Sequence, residues 1–195
     1  MPDRITDEFL LEQAGGGDQT AFLRLYERYR NPIFRFSYRL VGSAEVAEDI
    51  THDCFLSLIR KTENFEPSRG SLRTYLYAAA RNLAMKHFRS FGRETAIDDL
   101  AEHPPAAKRE EPLRQMLDAE LVAKVKEAIA DLPPLQREAL VLFEYEGLPM
   151  NDIAIIVGSD VGAVKGRLHR ARESLRNSLA PYLNSRQEIV TLGKA

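Results

Sequence analysis

Gly147-Leu148-Pro149-Met150-Asn151-Asp152-Ile153-Ala154, followed by Gly158-Ser159-Asp160 and Val161-Gly162-Ala163-Val164-Lys165-Gly166-Arg167-Leu168-His169-Arg170, decides how this chain is read. Pro149 presets φ for a helix start, and Ile153, Ala154 and Val157 fall on one helical face. Gly158 suits a left-handed turn, and Asp160 stands where it would cap a second helix. The pattern is a helix-turn-helix. Along its second helix Val161, Val164, Leu168, Ala171 and Leu175 keep an apolar face, while Lys165, Arg167, Arg170, Arg172 and Arg176 project outward. A basic helix presented by such a turn fits the major groove of DNA. Taken alone it would read as a solvated face; the short turn and the small apolar helix before it favour DNA contact.

Working outward, nearly every periodic segment has the helical spacing and none alternates like a strand, so the fold class is all-α. Ala21, Phe22, Leu25, Tyr26 and Tyr29 form one stripe, expected to break at Asn31-Pro32 before a second helix carries Ile33, Phe34, Phe36, Leu40 and Val41 to Gly42. Ser43 offers a cap for a helix over about 44–62, with Val46, Ile50, Cys54, Phe55, Leu58 and Ile59 inward and Glu45, Glu48, Asp49 and Asp53 outward. Asn64 to Gly70 interrupts the pattern, and Ser71 caps a helix in which Leu72, Tyr75, Leu76, Ala79, Ala80, Leu83 and Ala84 recur. Its charges, Arg73, Arg81, Lys86 and Arg89, include no acid.

From about Arg93 the chain turns acidic and rich in Pro and Ala, as in His103-Pro104-Pro105-Ala106-Ala107, and reads as a flexible linker. Helical pattern resumes at Leu117, pauses at Leu132-Pro133-Pro134 and continues to Gly147, so two helices precede the helix-turn-helix. The expected organisation is two small helical domains, residues 5–92 and 117–183, with a linker over 93–116 and a fraying tail over 184–195.

A net charge of -2 excludes a uniformly basic nucleic-acid binder, so any DNA contact depends on local segregation of charge. That segregation is visible: acids gather between Glu94 and Glu120, and the helices around Arg73 to Arg93 and Lys165 to Arg176 are left basic. The single cysteine, Cys54, excludes an internal disulfide and reads as a buried thiol. The four histidines, His52, His87, His103 and His169, have no metal-motif companions. No long apolar span and no signal peptide appears, so the expectation is a cytoplasmic protein without membrane insertion.

Taken in order, the two halves resemble the extracytoplasmic-function (ECF) group of bacterial RNA polymerase sigma factors. The first half is similar to sigma region 2 through Asp18-Gln19-Thr20-Ala21-Phe22, Ala47-Glu48-Asp49-Ile50-Thr51-His52-Asp53-Cys54-Phe55-Leu56 and Gly70-Ser71-Leu72-Arg73-Thr74-Tyr75-Leu76-Tyr77 with Ala80-Arg81-Asn82-Leu83-Ala84. The second is similar to region 4 through Leu132-Pro133-Pro134-Leu135-Gln136-Arg137-Glu138 and Val161 to Arg172. The resemblance implies core RNA polymerase and promoter DNA as partners, an anti-sigma factor as a further one, no cofactor, no metal and no catalytic residue. It implies polymerase docking through Glu48, Asp49 and Asp53. For the promoter element nearest the start site (-10) it implies Lys61, Phe65, Ser68, Ser71, Arg73, Arg81, Asn82, Lys86 and Arg89, with an aromatic wall and polar donors holding an extruded base while cations neutralise phosphates. For the distant element (-35) it implies Lys165, Gly166, Arg167, His169, Arg170, Arg172 and Arg176, with Lys165 and Arg170 reaching base edges.

The chain departs from the family pattern at Val46, Tyr75, Ala163 and Gly166, and His169 occupies a position often apolar or aromatic. Gly166 removes a possible contact and costs about 1 kcal/mol of helix propensity relative to Ala. Two rival readings compete. Asp49 and His52 share a helix face, as in carboxylate-bridged metal bundles, but such a site needs a second comparable motif that the chain lacks. A helix-turn-helix regulator with a sensing domain would bind DNA without polymerase, yet it gives no reason for the basic helix after Phe65 to Ser71.

Overall fold

The order of helices follows from where the chain supplies caps and stops. A computed structural model describes residues 6–60, 62–91 and 112–192. Helix α1 covers Asp7–Gly15, α2 Gln19–Val41, α3 Ala44–Arg60 and α4 Leu72–Phe91. Asp18 opens α2 by accepting the Thr20 and Ala21 N–H groups at 2.8 and 3.2 Å, and Gly42 closes it in the left-handed region at φ 78°. Ser43 Oγ accepts the Val46 N–H at 3.4 Å at the head of α3.

Three features of this half differ from the sequence-based expectation. Pro32 lies inside α2 and does not break it. A mid-helix proline costs about 3 kcal/mol. Leu25, Tyr29, Ile33, Phe36 and Leu40 nevertheless run as one buried stripe through it. Burying Ile33, Phe36 and Leu40 contributes about 1.5 to 3 kcal/mol each, which outweighs the proline. Ile59, expected inward, is 40% exposed at the end of α3, where Leu58 alone turns into the core. Helix α1 was not expected; Thr6 caps it by accepting the Phe9 N–H, Leu10 and Leu11 anchor it, and Asp7 accepts from Arg28 and from the Tyr29 hydroxyl. Burial, the Asp7 hydrogen bond and the Asp7 charge push the Tyr29 phenol pKa up, so the hydroxyl stays a donor.

The second half comprises α5 (Pro112–Ala130), α6 (Pro134–Leu140), a π-helical turn over Val141–Tyr145, α7 (Met150–Val157) and α8 (Val161–Leu192). Helix α5 begins inside the segment read as linker, with Pro112 at a first position that suits proline. The acidic stretch at residues 92–111 lies outside the described residues. Helix α8 runs through Pro181 and continues to Leu192 where fraying was expected after about Tyr182; neither glycine nor proline falls between Tyr182 and Leu192, so the backbone stays helical there without a core pattern.

Among the described residues all regular structure is helical, arranged as a bundle of α1–α4 and a smaller unit of α5–α8. The two units touch: α4 packs on α7, and the π turn and α6 reach α2. Arg137 ties both sides by donating to the Leu40 carbonyl of α2 at 2.8 Å and to the Leu132 and Ala130 carbonyls beside its own helix. No helix among the described residues is long and apolar enough to cross a membrane.

Candidate nucleic-acid interface

The turn between α7 and α8 is built by local chemistry. Gly158 sits at φ 62°, ψ 46°, a conformation that costs an L side chain roughly 1 kcal/mol or more and glycine nothing. The Ser159 N–H returns to the Ala154 carbonyl at 3.0 Å, closing the end of α7. Asp160 caps α8 by accepting the Ala163 N–H at 2.8 Å, and its carboxylate lies where a side chain on Gly162 would meet it at 2.9 Å. Ile153, Val157, Val164, Leu168 and Ala171 are buried, which fixes the rotation of α8.

That rotation exposes Lys165, His169, Arg170, Arg172 and Arg176. A shallow groove of about 410 Å³ runs along this face, floored by Met150 and Leu168 and edged by Lys165, His169, Arg172 and Arg176, with one acid, Glu173. Arg172 is held in place by Glu144 at 2.6 Å and lies 5.3 Å from the Phe143 ring centre, so its guanidinium is oriented. Gly166 leaves space that the Arg170 guanidinium fills, 3.5 Å from where a β-carbon would stand. Arg167 is the exception on this helix. Expected outward, it is turned inward, its side chain 17% exposed and its Nη1 3.4 Å from Glu138.

The loop after α3 forms two 3₁₀ turns, Thr62–Asn64 and Pro67–Arg69, and leads into α4. Phe65 is half-buried and meets Tyr75 edge-to-face at 5.8 Å, so it joins the core margin and remains reachable from the loop. Ser68 is exposed. Ser71 caps α4 by accepting the Thr74 N–H at 3.2 Å and shares a second hydrogen bond with the Thr74 hydroxyl. Asn82, Lys86 and Arg89 lie exposed along α4, with Arg89 donating to the Met85 carbonyl at 3.2 Å. Lys61 lies outside the described residues.

Arg73 and Arg81 occupy a different face from those three. With Tyr77 they repeat every four residues along α4, a stripe that meets the second unit. Arg81 Nε and Nη2 donate to the two oxygens of fully buried Glu138 at 2.8 and 3.3 Å. Arg73 donates to the Glu146 carbonyl, and the Tyr77 hydroxyl donates to the Glu146 carboxylate. Burial and that hydrogen bond push the Tyr77 phenol pKa up. Arg39 of α2 completes the seam, 3.4 Å from Glu146 and 4.4 Å from the Tyr145 ring centre. The seam residues Arg39, Tyr77, Arg137, Glu138 and Glu146 were missed from sequence. The available signal was the acid-free stripe of α4, which requires an anionic partner of some kind.

In the first unit Glu48, Asp49, His52 and Asp53 lie exposed on α3, and Leu56 and Ile59 continue the same face at 41% and 40% exposure. The arrangement is an acidic patch running into an apolar one. Asp49 and His52 thus point away from the bundle interior that a carboxylate-bridged metal would occupy. Cys54, one turn along, is buried against the Leu76 carbonyl, and burial pushes its thiol pKa up to about 12.

Comparison with known proteins follows this division. The family pattern described as Sigma-70 region 2 matches residues 25–94, and that of Sigma-70 region 4 matches residues 123–175. The chain is 35% identical over 185 residues to the RNA polymerase sigma-H factor of Pseudomonas aeruginosa, covering 91% of this chain and 95% of that one. It is 32% identical over 191 residues to the ECF RNA polymerase sigma-E factor of Escherichia coli, covering 94% and 99%. Its fold is similar to the sigma factor RpoE crystallised with the anti-sigma factor NepR from Bartonella quintana, with TM-score 0.67, 27% identity and 82% and 96% of the two chains covered.

Proposed function

The chain belongs to the ECF group of RNA polymerase sigma factors, non-enzymatic subunits that direct promoter recognition and transcription initiation, and from that premise we propose how its surfaces divide the work. The exposed face of α3 docks on core polymerase. Glu48, Asp49 and Asp53 steer and orient the encounter with basic polymerase residues, and Leu56 and Ile59 beside them add apolar area. Residues 5–92 form the docking and -10 domain, residues 117–183 the -35 domain, joined through 93–116.

In this reading the loop at Phe65 to Ser71 and the exposed side of α4 hold the non-template strand of the -10 element. Unstacking a base step costs a few kcal/mol. Capture of the extruded base by Phe65, Ser68 and Asn82, with Lys61, Arg73, Arg81, Lys86 and Arg89 on phosphates, offsets that cost. Ser71 contributes by fixing the start of α4 as well as through its hydroxyl. Helix α8 enters the major groove of the -35 element, with Lys165 and Arg170 on base edges, His169 and the Gly166 backbone between them, and Arg172 and Arg176 toward phosphates, while Arg167, turned inward onto Glu138, positions the helix.

The observation that carries the reading is the pairing, in one chain, of an exposed basic recognition helix with a separate exposed acidic patch. A regulator needs only the first. An anti-sigma factor as inhibitory partner follows from the likeness to a sigma factor solved with one, and the site of action is the cytoplasm, where polymerase works. The test is run-off transcription reconstituted with sigma-free core polymerase on a library of genomic fragments. Transcripts that start downstream of two unlike spaced elements support the reading. Binding to a palindrome without transcription contradicts it.

A further inference from the structure

We propose that Gly166 sets which promoter base Arg170 reads, by giving its guanidinium a seat one helical turn nearer the start of α8; the proposal rests on the reading that α8 enters the major groove of the -35 element. In a helix the Cα–Cβ bonds tilt toward the N-terminus, so the side chain of residue 170 covers the turn that begins at residue 166. An ordinary side chain at 166 would stand in that place. With glycine there, Nη1, Nη2 and Cζ of Arg170 lie 3.5, 3.8 and 4.0 Å from where a β-carbon would be. The guanidinium therefore occupies the room of the missing side chain. Four residues of helix rise about 6 Å, and base pairs stack about 3.4 Å apart. The seat thus carries the arginine about one to two base pairs along the groove, to the base that residue 166 faces.

Arg170 differs from its neighbouring arginines on α8 in what holds it. Arg167 is turned onto Glu138 and Arg172 onto Glu144, whereas no carboxylate pairs with Arg170 among the described residues. A seat over a glycine takes none of the guanidinium donors, so the fork stays whole for the two acceptors of a guanine. The seat also carries Arg170 toward Lys165, exposed one residue before the glycine. Both base-reading cations then gather at the N-terminal part of the helix, the part that faces base edges. The room is limited in size. A β-carbon 3.5 Å from Nη1 is in ordinary contact, so Gly166→Ala leaves the seat open. Gly166→Val closes it, because the two γ-carbons take both staggered directions that a helix leaves to a side chain and the branched residue is held there.

The test uses holoenzyme reconstituted from core polymerase and the full chain, transcribing a promoter library randomised across the -35 element. Circular dichroism confirms folding, and valine is at least as good a helix former as glycine. Arg170→Ala should abolish a preference of about 5- to 150-fold for guanine at one base pair, the range of a single bidentate contact. Gly166→Ala should keep its peak at that pair. Gly166→Val should lose the preference there, with any that remains moved about one to two pairs toward the bases faced by the C-terminal part of α8. Adding Gly166→Ala or Gly166→Val to Arg170→Ala should change the profile no further. In the free chain the Arg170 Nε–Hε NMR signal, identified by its loss in Arg170→Ala, should be more ordered than that of Arg176 in wild type and in Gly166→Ala, and mobile in Gly166→Val. A Gly166→Val profile that keeps the pair lost in Arg170→Ala overturns the seat and leaves α8 in the groove. So does a Gly166→Ala profile that loses it, or an Arg170 signal as mobile in wild type as that of Arg176. An Arg170→Ala profile identical to wild type overturns the base contact itself, and no dependence on -35 sequence in any variant overturns the reading of α8 on which the seat rests.

Discussion

Neutralising one buried carboxylate should destabilise this protein out of proportion to the size of the change. Glu138 is fully buried and receives three guanidinium contacts, from Arg81 at 2.8 and 3.3 Å and from Arg167 at 3.4 Å. Glu138→Gln keeps the volume and one acceptor oxygen but removes the charge both arginines were ordered around. Truncating one partner of a buried ion pair costs about 3 to 5 kcal/mol, and single hydrogen bonds to charged groups contribute about 1.5 to 3. Arg81 and Arg167 are 18% and 17% exposed, so each can regain some water, and the amide still accepts one bond. About 2 to 3 kcal/mol remains. For a chain of this size 1 kcal/mol shifts Tm by roughly 2 to 4 °C, so the expected drop is about 4 to 12 °C. Thermal circular dichroism and urea titration with matched m-values measure it. Arg81→Ala should cost less, because Glu138 then keeps Arg167. A Glu138→Gln variant within about 0.5 kcal/mol of wild type, the range of an ordinary surface change, would refute the electrostatic account of the seam.

Other positions make independent demands. Asp160→Ala removes the cap of α8 and should cost about 1 kcal/mol in urea unfolding, with no change in fold. Gly166→Ala should stabilise by about 0.5 to 1 kcal/mol, since a β-carbon there meets only the movable Arg170 guanidinium; a destabilised variant would show that the glycine serves packing. Cys54 should resist iodoacetamide in the native protein at pH 8.5 and react on unfolding. Its folded pKa of about 12 lies above the ordinary value of 9.0, so the native state keeps a proton that the unfolded chain releases, and its contribution to stability should be complete below pH 9 and lost between 9 and 12. Arg170→Ala should relax base preference at one -35 position by about 1 to 3 kcal/mol, whereas Arg176→Ala should weaken all promoter sequences alike; equal losses on every promoter variant for both would contradict that assignment.

What could be read from sequence was whatever local chemistry decides. Gly158 and Asp160 specify the turn and cap of the helix-turn-helix, Gly42 and Ser43 the α2–α3 corner, and Ser71 the start of α4, each through contacts within four residues. Pro32 was misread because local cost pointed one way and the continuous buried stripe from Leu25 to Leu40 the other. Ile59 was misread because periodicity near a helix end does not reveal where its neighbours stop. The exposed residues of α8 were legible from helical spacing, yet Arg167 was not, since its inward turn depends on Glu138, 29 residues away. The seam lies further still from local reasoning. Arg39 and Glu146 are separated by 107 positions, and nothing in either neighbourhood names the other.

The central claim is that this chain is a polymerase subunit that docks through the acidic face of α3. Gel filtration of the purified protein with core RNA polymerase free of any sigma subunit tests it directly, comparing wild type with Asp49→Lys and Asp53→Lys. Both aspartates are exposed, so the variants should fold as wild type does. The account predicts that wild type co-elutes with core and that each charge reversal sharply weakens the complex. Folded wild-type protein that elutes apart from core would contradict it.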